Sequence, residues 1–297
     1  MEKSVVIGFI TYGEVTGKYL PDFAASLKGQ TYQDFAILAW DNSPAGANLN
    51  SDWLKQNLPE AVIDTAGANL GFAKAANRLL AWAQEMGAEY FFLVNPDTYL
   101  DQGAVEQLIK TLDEHPEVTA ASPKVLRWDF VNKTKTNIID TCGLALRAGF
   151  KFVDVGQGEV DRGQYDQAPI LGPSGASAFF RLSDLGTIRF DERFFMYKED
   201  CDLAYQLCLA GKKSIVVSRA VVYHDRTVTR GSRRAKSRQS KQWSFYGQQL
   251  LLKKYWRRQN WWNKTLIVGR EIFMLAYAVI FEPYLLAELT KLKKFKI

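Results

Sequence analysis

Residues 91–100 read FFLVNPDTYL, four apolar positions that run directly into Asn95-Pro96-Asp97. A buried strand that stops on an amide, a proline and a carboxylate admits two explanations. Asn, Pro and Asp are ordinary turn residues and can simply punctuate a strand end. Alternatively, Asp97 stands there to hold a metal ion against a nucleotide diphosphate, because hard cations prefer carboxylate oxygens.

Working outward, apolar runs at Val5–Ile10, Phe35–Trp40, Ala61–Ile63, Tyr90–Val94 and Val118–Ala121 predict strands. Helical spacing predicts helices over Lys18–Lys28, Ser51–Asn57, Phe72–Met86 and Asp101–Glu114. Asp101 is placed to cap the last of these, and Gly87 to end the third. This alternation is that of βαβ units, an α/β fold with a mostly parallel sheet flanked by helices. Residues 124–168 lose the alternation and read as an insertion or an antiparallel region, with hairpin-like fragments at Asn137–Cys142 and Leu144–Ala148.

At 297 residues, 47% hydrophobic and 13% aromatic, the chain suits one large globular domain, or one domain plus an appendage. The opening MEKSVVIGFITYGEV has too short an apolar run for a signal peptide and reads as a first strand. Cys142, Cys201 and Cys208 form no disulfide framework, so a reducing cytoplasm is expected. The net charge of +6 is unevenly spread: residues 1–218 carry 20 basic and 28 acidic side chains, residues 219–297 carry 18 and 4. An acidic body with a basic tail points to an anionic surface or ligand for the tail.

Ligands of open α/β sheets bind beyond the carboxyl ends of the strands. Thr11-Tyr12-Gly13, Asp41-Asn42-Ser43 and Asn95-Pro96-Asp97 all fall there. Asp41 is either a turn residue or an acceptor for a nucleobase N–H. In ANLGFAKAAN, Gly71 permits close backbone approach, while Asn69 and Asn77 can offer amides to a ribose or phosphate. His224, after a strand, is a candidate metal ligand; His115 reads as a solvated loop residue. Glu199, Asp200 and Asp202 open a helix that ends at Gly211, where acidic residues cap favourably. Following the aromatic run Phe194-Phe195-Met196-Tyr197, one of them can equally serve as a general base.

The segments DNS, NLGFAKAAN, NPD, GPSGASAFFR, FDERFFMYKEDCDLAYQL and YH resemble, in order and spacing, glycosyltransferase family 2 of the GT-A fold, nearest its rhamnosyltransferase-like branch. The resemblance spans roughly residues 4–225. It implies a Rossmann-like catalytic domain over 1–225 and a C-terminal helical extension over 226–297. It implies that Asp41, Thr11 and Tyr12 line the base pocket, with Asn69, Gly71 and Asn77 also on the donor. Asn95-Pro96-Asp97 looks like the DXD-type motif, with Asp97 and His224 holding Mg2+ or Mn2+. Asp200 resembles the base of an inverting transfer, with Glu199 supporting it. Gly172–Ala178 resembles the acceptor wall, and Gly175, Ala176 and Tyr197 are the acceptor candidates. Two positions depart from the pattern: Asn95 replaces the first Asp of the motif, and Gln206 stands where an Arg is frequent.

The implied donor is dTDP- or UDP-linked, nearest dTDP-L-rhamnose, and the implied acceptor is a glycan or a polyprenyl-diphosphate-linked sugar. The basic loop 226–241, with Arg230, Arg233 and Arg234, is either a lid over donor phosphates or a solvated loop. From Trp243 the tail interleaves Trp, Tyr and Lys/Arg. It either lies on an anionic membrane, at the cytoplasmic face, or packs on the catalytic domain or a second copy. No nucleic-acid-binding motif accompanies the basic residues. A non-catalytic sugar-nucleotide-binding homologue remains the main competing reading, kept open by Asn95 and Gln206.

Overall fold

A computed structural model describes residues 5–47, 49–226 and 237–292. In chain order the elements are β1 (Val5–Thr11), α1 (Gly13–Gly17), α2 (Leu20–Lys28), β2 (Phe35–Asp41), α3 (Leu49–Asn57), β3 (Ala61–Thr65), α4 (Phe72–Glu85), β4 (Tyr90–Val94), β5 (Thr98–Leu100), α5 (Ala104–Glu114) and β6 (Val118–Asp129). There follow β7 (Thr134–Thr141), β8 (Leu144–Arg147), β9 (Lys151–Asp154), β10 (Pro169–Ile170), β11 (Ser177–Arg181), α6 (Leu182–Leu185), α7 (Glu199–Leu209), β12 (Lys213–His224), α8 (Arg238–Tyr255), α9 (Trp261–Phe281) and α10 (Ala287–Leu292).

The large sheet runs β10-β12-β6-β11-β4-β1-β2-β3. Its β4-β1-β2-β3 side is parallel, as is the β12–β6 pair; β11 enters antiparallel between β4 and β6. Strand alternation divides the core in two. Val5, Ile7, Phe9, Tyr90, Phe92 and Val94 face α2, α3 and α5, while Val6, Leu38, Phe91 and Leu93 face α4 and α7. Such double coverage is what the short continuous apolar runs predicted.

Residues 124–168 form the antiparallel region: the far half of β6 pairs β7, and β8 and β9 make a separate hairpin. One expectation is corrected here. Asp101 does not cap α5, which begins at Ala104 behind Gly103 with no side-chain cap. Asp101 instead follows β5, a strand unforeseen in the sequence; its backbone carbonyl accepts from Ala104 N–H at 3.0 Å and its carboxylate pairs with Lys135 at 3.1 Å.

Helix α8 packs into the body of the fold. Tyr246, Leu250, Leu251 and Tyr255 bury against Phe150, Phe194, Cys201 and Tyr205. Close approach requires Gly247, where a Cβ would lie 2.7 Å from the carbonyl oxygen of Tyr197.

Candidate active site

The turn Asn95–Thr98 links β4 to β5, with the Asn95 carbonyl accepting from Thr98 N (3.2 Å) and Thr98 Oγ1 (2.6 Å). Strand β5 pairs antiparallel with the end of β12 in a register that sets Thr98 opposite His224. This register brings Asp97 beside the imidazole. Asp97 Oδ2 lies 3.3 Å from His224 Nε2, and Asp225 N–H donates to the Asp97 carbonyl at 3.0 Å. Asp97 Oδ1 is buried without a hydrogen-bond partner.

The other imidazole nitrogen is held by a residue that sequence reading missed. His224 Nδ1 is 2.8 Å from Asp140 Oδ2, on β7, and Asp140 is 1% exposed. Arg226 donates to Asp140 Oδ1 (2.8 Å) and to Asp154 Oδ2 (3.1 Å). Burial lowers the His224 affinity for protons, but the Asp97 charge and the Asp140 bond outweigh it and push the imidazole up to about 10. Burial alone would raise the Asp140 carboxyl; its bonds and charge contacts with His224 and Arg226 hold it below the ordinary range. Burial keeps the Asp154 carboxyl high, against Arg226 and aided by the charge of Asp200. A charge in the apolar run Ile138-Ile139-Asp140 was the available signal for this residue.

Asp97 and His224 are the residues able to hold a divalent cation, which on binding would displace the imidazole proton at Nε2, since only the neutral ring has a lone pair there. An orphaned buried carboxylate oxygen, a converging imidazole nitrogen and a carboxylate fixing the opposite ring nitrogen fit such an ion. Among the described residues no group of three or more His, Cys, Asp and Glu gathers to hold a metal. The remaining ligands would have to come from phosphate and water.

Asp200 opens α7 from the facing side. Its Oδ2 accepts from Gly175 N–H at 3.1 Å and its Oδ1 from Cys201 N–H at 2.7 Å. Ala176 in turn accepts from Asn95 N–H at 3.0 Å, so residues 175–176 tie the NPD turn to the start of α7. Burial and then the adjacent Asp200 charge push the Glu199 carboxyl up to about 8, and its Oε2 has no hydrogen-bond partner. Tyr197 (φ 69°) and Lys198 (φ 74°) both adopt left-handed backbone before α7. Such residues cost on the order of 1–3 kcal/mol each and collect at functional sites. Tyr197 is exposed, with its hydroxyl 3.4 Å from Ser240 Oγ of α8.

The third carboxylate plays a different part. Asp202, fully buried, accepts from Lys254 (2.9 Å) and Tyr255 (2.8 Å) of α8 and from Gln206 (2.7 Å). Its counter-charge thus comes from α8 rather than from position 206.

Among the residues expected to contact a donor, Thr11 ends β1 with a buried, unpartnered Oγ1, and Tyr12 is exposed beside it. Asp41 is fully buried and accepts from Ser43 N–H (3.0 Å) and Ser51 Oγ (2.6 Å), so a nucleobase would have to use a remaining lone pair. Asn69 accepts from Gly71 N–H at 2.9 Å. Two expectations change here. Gly71 (φ +79°) makes room for the protein itself: a Cβ there would lie 2.5 Å from Phe195 O. The Asn77 amide is spent on Phe190 N–H, Phe190 C=O and Glu192, fastening α4 to the 190–192 segment. Arg230, Arg233 and Arg234 lie outside the described residues.

The model of glycosyl transferase family group 2 matches residues 90–289. The N-acetylglucosaminyl-diphospho-decaprenol L-rhamnosyltransferase of Mycobacterium tuberculosis (strains CDC 1551 / Oshkosh and ATCC 25618 / H37Rv) is 27% identical over 241 residues, 75% of this chain and 76% of that protein. Among solved structures, S. aureus TarS 1–349 in complex with UDP superposes with TM-score 0.52 at 17% identity, over 74% of this chain and 60% of that one. GalNAc-T7 with UDP, GalNAc and Mn2+ superposes with TM-score 0.57 at 12% identity, over 75% of this chain and 43% of that one. The chain thus spans less than two thirds of either solved neighbour, and those likenesses establish the GT-A fold. With the family match running from β4 through the NPD turn, Asp200 and His224 into the C-terminal helices, the chain belongs to glycosyl transferase family group 2 and is a glycosyltransferase.

Proposed function

We propose that this enzyme transfers L-rhamnose from dTDP-L-rhamnose to a polyprenyl-diphosphate-linked sugar, with inversion, at the cytoplasmic face of the membrane. The observation that carries the reading is the meeting of two carboxylate centres at one end of the sheet. Asp97 and His224 stand on one side, and Asp200, fixed by Gly175 N–H, on the other. The M. tuberculosis relative, whose name gives both rhamnosyl transfer and a decaprenol-linked acceptor, supports the choice of donor sugar and acceptor.

The chemistry follows from the side chains. Asp200 accepts a proton from the acceptor hydroxyl as that oxygen forms a bond to the anomeric carbon and the bond to the diphosphate oxygen breaks. One displacement inverts the anomeric centre. Asp97 and His224 would hold Mg2+ or Mn2+, which when bound neutralises the diphosphate as a Lewis acid. Asp140 fixes the imidazole so that Nε2 faces Asp97. Thr11, Tyr12, Asp41 and Asn69 line the nucleotide side. Gly175, Ala176 and Tyr197 border the acceptor side, where Glu199 retains its proton to about pH 8 and so limits charge repulsion around Asp200.

Calorimetric titration with dTDP and with UDP, each with and without Mn2+, tests the reading. Metal-dependent binding of dTDP over UDP is expected. Asp200→Asn should retain that binding and lose transfer, whereas Asp97→Ala should lose the metal-dependent part. Tighter binding of UDP would replace the donor, and normal transfer by Asp200→Asn would remove the assigned base.

A further inference from the structure

We infer that α9 lies flat in the headgroup region of an anionic phospholipid membrane. Of its 21 residues only Ile267 and Ala278 are buried. Trp261, Phe273 and Ile280 are 76%, 78% and 68% exposed, and Trp262, Ile272 and Val279 are exposed beside them. At about 100° per residue these six fall within an arc of roughly 120° that runs the length of the helix. Lys264, Arg270 and Glu271 fall on the other side. The Arg270 guanidinium is spent on the Gly149 carbonyl (2.9 Å) and on Glu271.

Charge selects lipid as the occupant of this face. From Trp256 to Trp262, where the stripe begins, the chain carries Arg257 and Arg258 and no carboxylate. Arg257 and Arg258 are exposed in the turn that leads into α9, next to the Trp261–Trp262 pair. Indole rings with adjacent cations suit a headgroup layer, where one part of the side chain is apolar and the other wet. No described helix is long and apolar enough to cross a membrane, so an exposed stripe of this length fits a surface orientation.

The helix also reaches the active site through the fold. Asn263 accepts from Gly149 N–H (3.0 Å) in the β8–β9 turn, and β9 ends at Asp154, which Arg226 binds. A membrane under α9 would therefore present a lipid-linked diphosphate to the acceptor side. That consequence rests on the proposed acceptor; the assignment of the surface does not.

Flotation of the full chain with phosphatidylglycerol-containing vesicles and with pure phosphatidylcholine vesicles provides the test. Flotation with the anionic vesicles, weakened by salt, is expected. The double substitution Phe273→Ser with Ile280→Ser should reduce partitioning roughly a hundredfold, because each change removes a large apolar side chain from the lipid. Mn2+-dependent nucleotide binding by the same variant should match the parent, so loss of the surface and loss of the transferase reading register separately. Three results would overturn the inference: no flotation of the parent chain, unchanged flotation of the variant, or a dimer that the variant splits without any vesicle binding. The last would assign the face to a second copy of the chain.

Discussion

Asp140→Asn isolates how the proposed metal pair is built. Asp140 accepts on both oxygens, from His224 at 2.8 Å and from Arg226 at 2.8 Å, in a nearly fully buried position. Asparagine keeps the shape but offers one acceptor and one NH2 group. If the carbonyl stays on Arg226, the NH2 meets His224 Nδ1, which must then become an acceptor. The ring proton moves to Nε2, the atom facing Asp97, and the lone pair required for metal ligation is lost. If the amide turns round, Arg226 loses its partner on Asp140 and keeps only Asp154. A hydrogen bond to a charged group contributes about 1.5–3 kcal/mol. At about 1.4 kcal/mol per decade, metal affinity should fall roughly 10- to 150-fold, close to the roughly 10- to 100-fold found when a carboxylate behind a ligating histidine is removed. Mn2+ titration followed by electron paramagnetic resonance, with nucleotide present and absent, reads this directly without turnover. His224→Ala supplies the lower limit. Wild-type Mn2+ affinity in a folded Asp140→Asn protein would refute the claim that Asp140 sets the imidazole.

Two further substitutions test the carboxylates of α7. Glu199 has a folded-state value near 8 against an ordinary 4.5, so its penalty is absent below about pH 4.5, grows as pH rises, and is complete above about pH 8. Glu199→Gln should therefore raise thermal stability at pH 8.5, by an amount of roughly 3–5 kcal/mol, and change it little at pH 4.5; the reverse order of melting temperatures would contradict the assignment. Lys254→Met removes the counter-charge of Asp202 and should cost about 3–5 kcal/mol in urea unfolding at pH 7. That cost should shrink in acid as Asp202 takes up a proton, and an unchanged midpoint would show that Tyr255 and Gln206 suffice.

What could be read from the sequence follows a physical boundary. The strand runs and the order of Asp41, Asn95-Pro96-Asp97, Asp200 and His224 were legible because each is local: an apolar run, a turn, a capped helix start. The partners of those residues were not. Asp140 lies 84 residues from His224 and Asp154 lies 72 from Arg226, and their meeting depends on β7 and the β8–β9 hairpin folding back antiparallel. The same applies to Lys254, which reaches Asp202 only because α8 packs on α7. Contacts made within the protein were equally out of reach of a local reading. Gly71 and Asn77 sit in a motif that suggested donor contacts, yet one accommodates Phe195 and the other clamps Phe190.

The distribution of unmet polar atoms carries the argument one step further. A folded interior leaves few buried donors or acceptors without partners, and those it leaves mark sites or bound waters. Among the described residues the unpartnered buried side-chain atoms belong to Thr11, Asp97, Arg127, Ser177, Glu199 and Ser214. Four of these six fall in one place. Thr11 ends β1, Asp97 follows β4, Ser177 pairs with Val94 at the last position of β4, and Glu199 opens α7. Elsewhere among the described residues only Arg127 Nε and Ser214 Oγ are left so, whereas this end of the sheet keeps a hydroxyl on each side of a carboxylate, with the Glu199 carboxyl at the start of α7. Such a surface is incomplete until something rich in donors and positive charge, such as a hydrated cation with its sugar diphosphate, is laid against it. The NPD turn thus ends its strand where the fold has left a carboxylate oxygen for a ligand to satisfy.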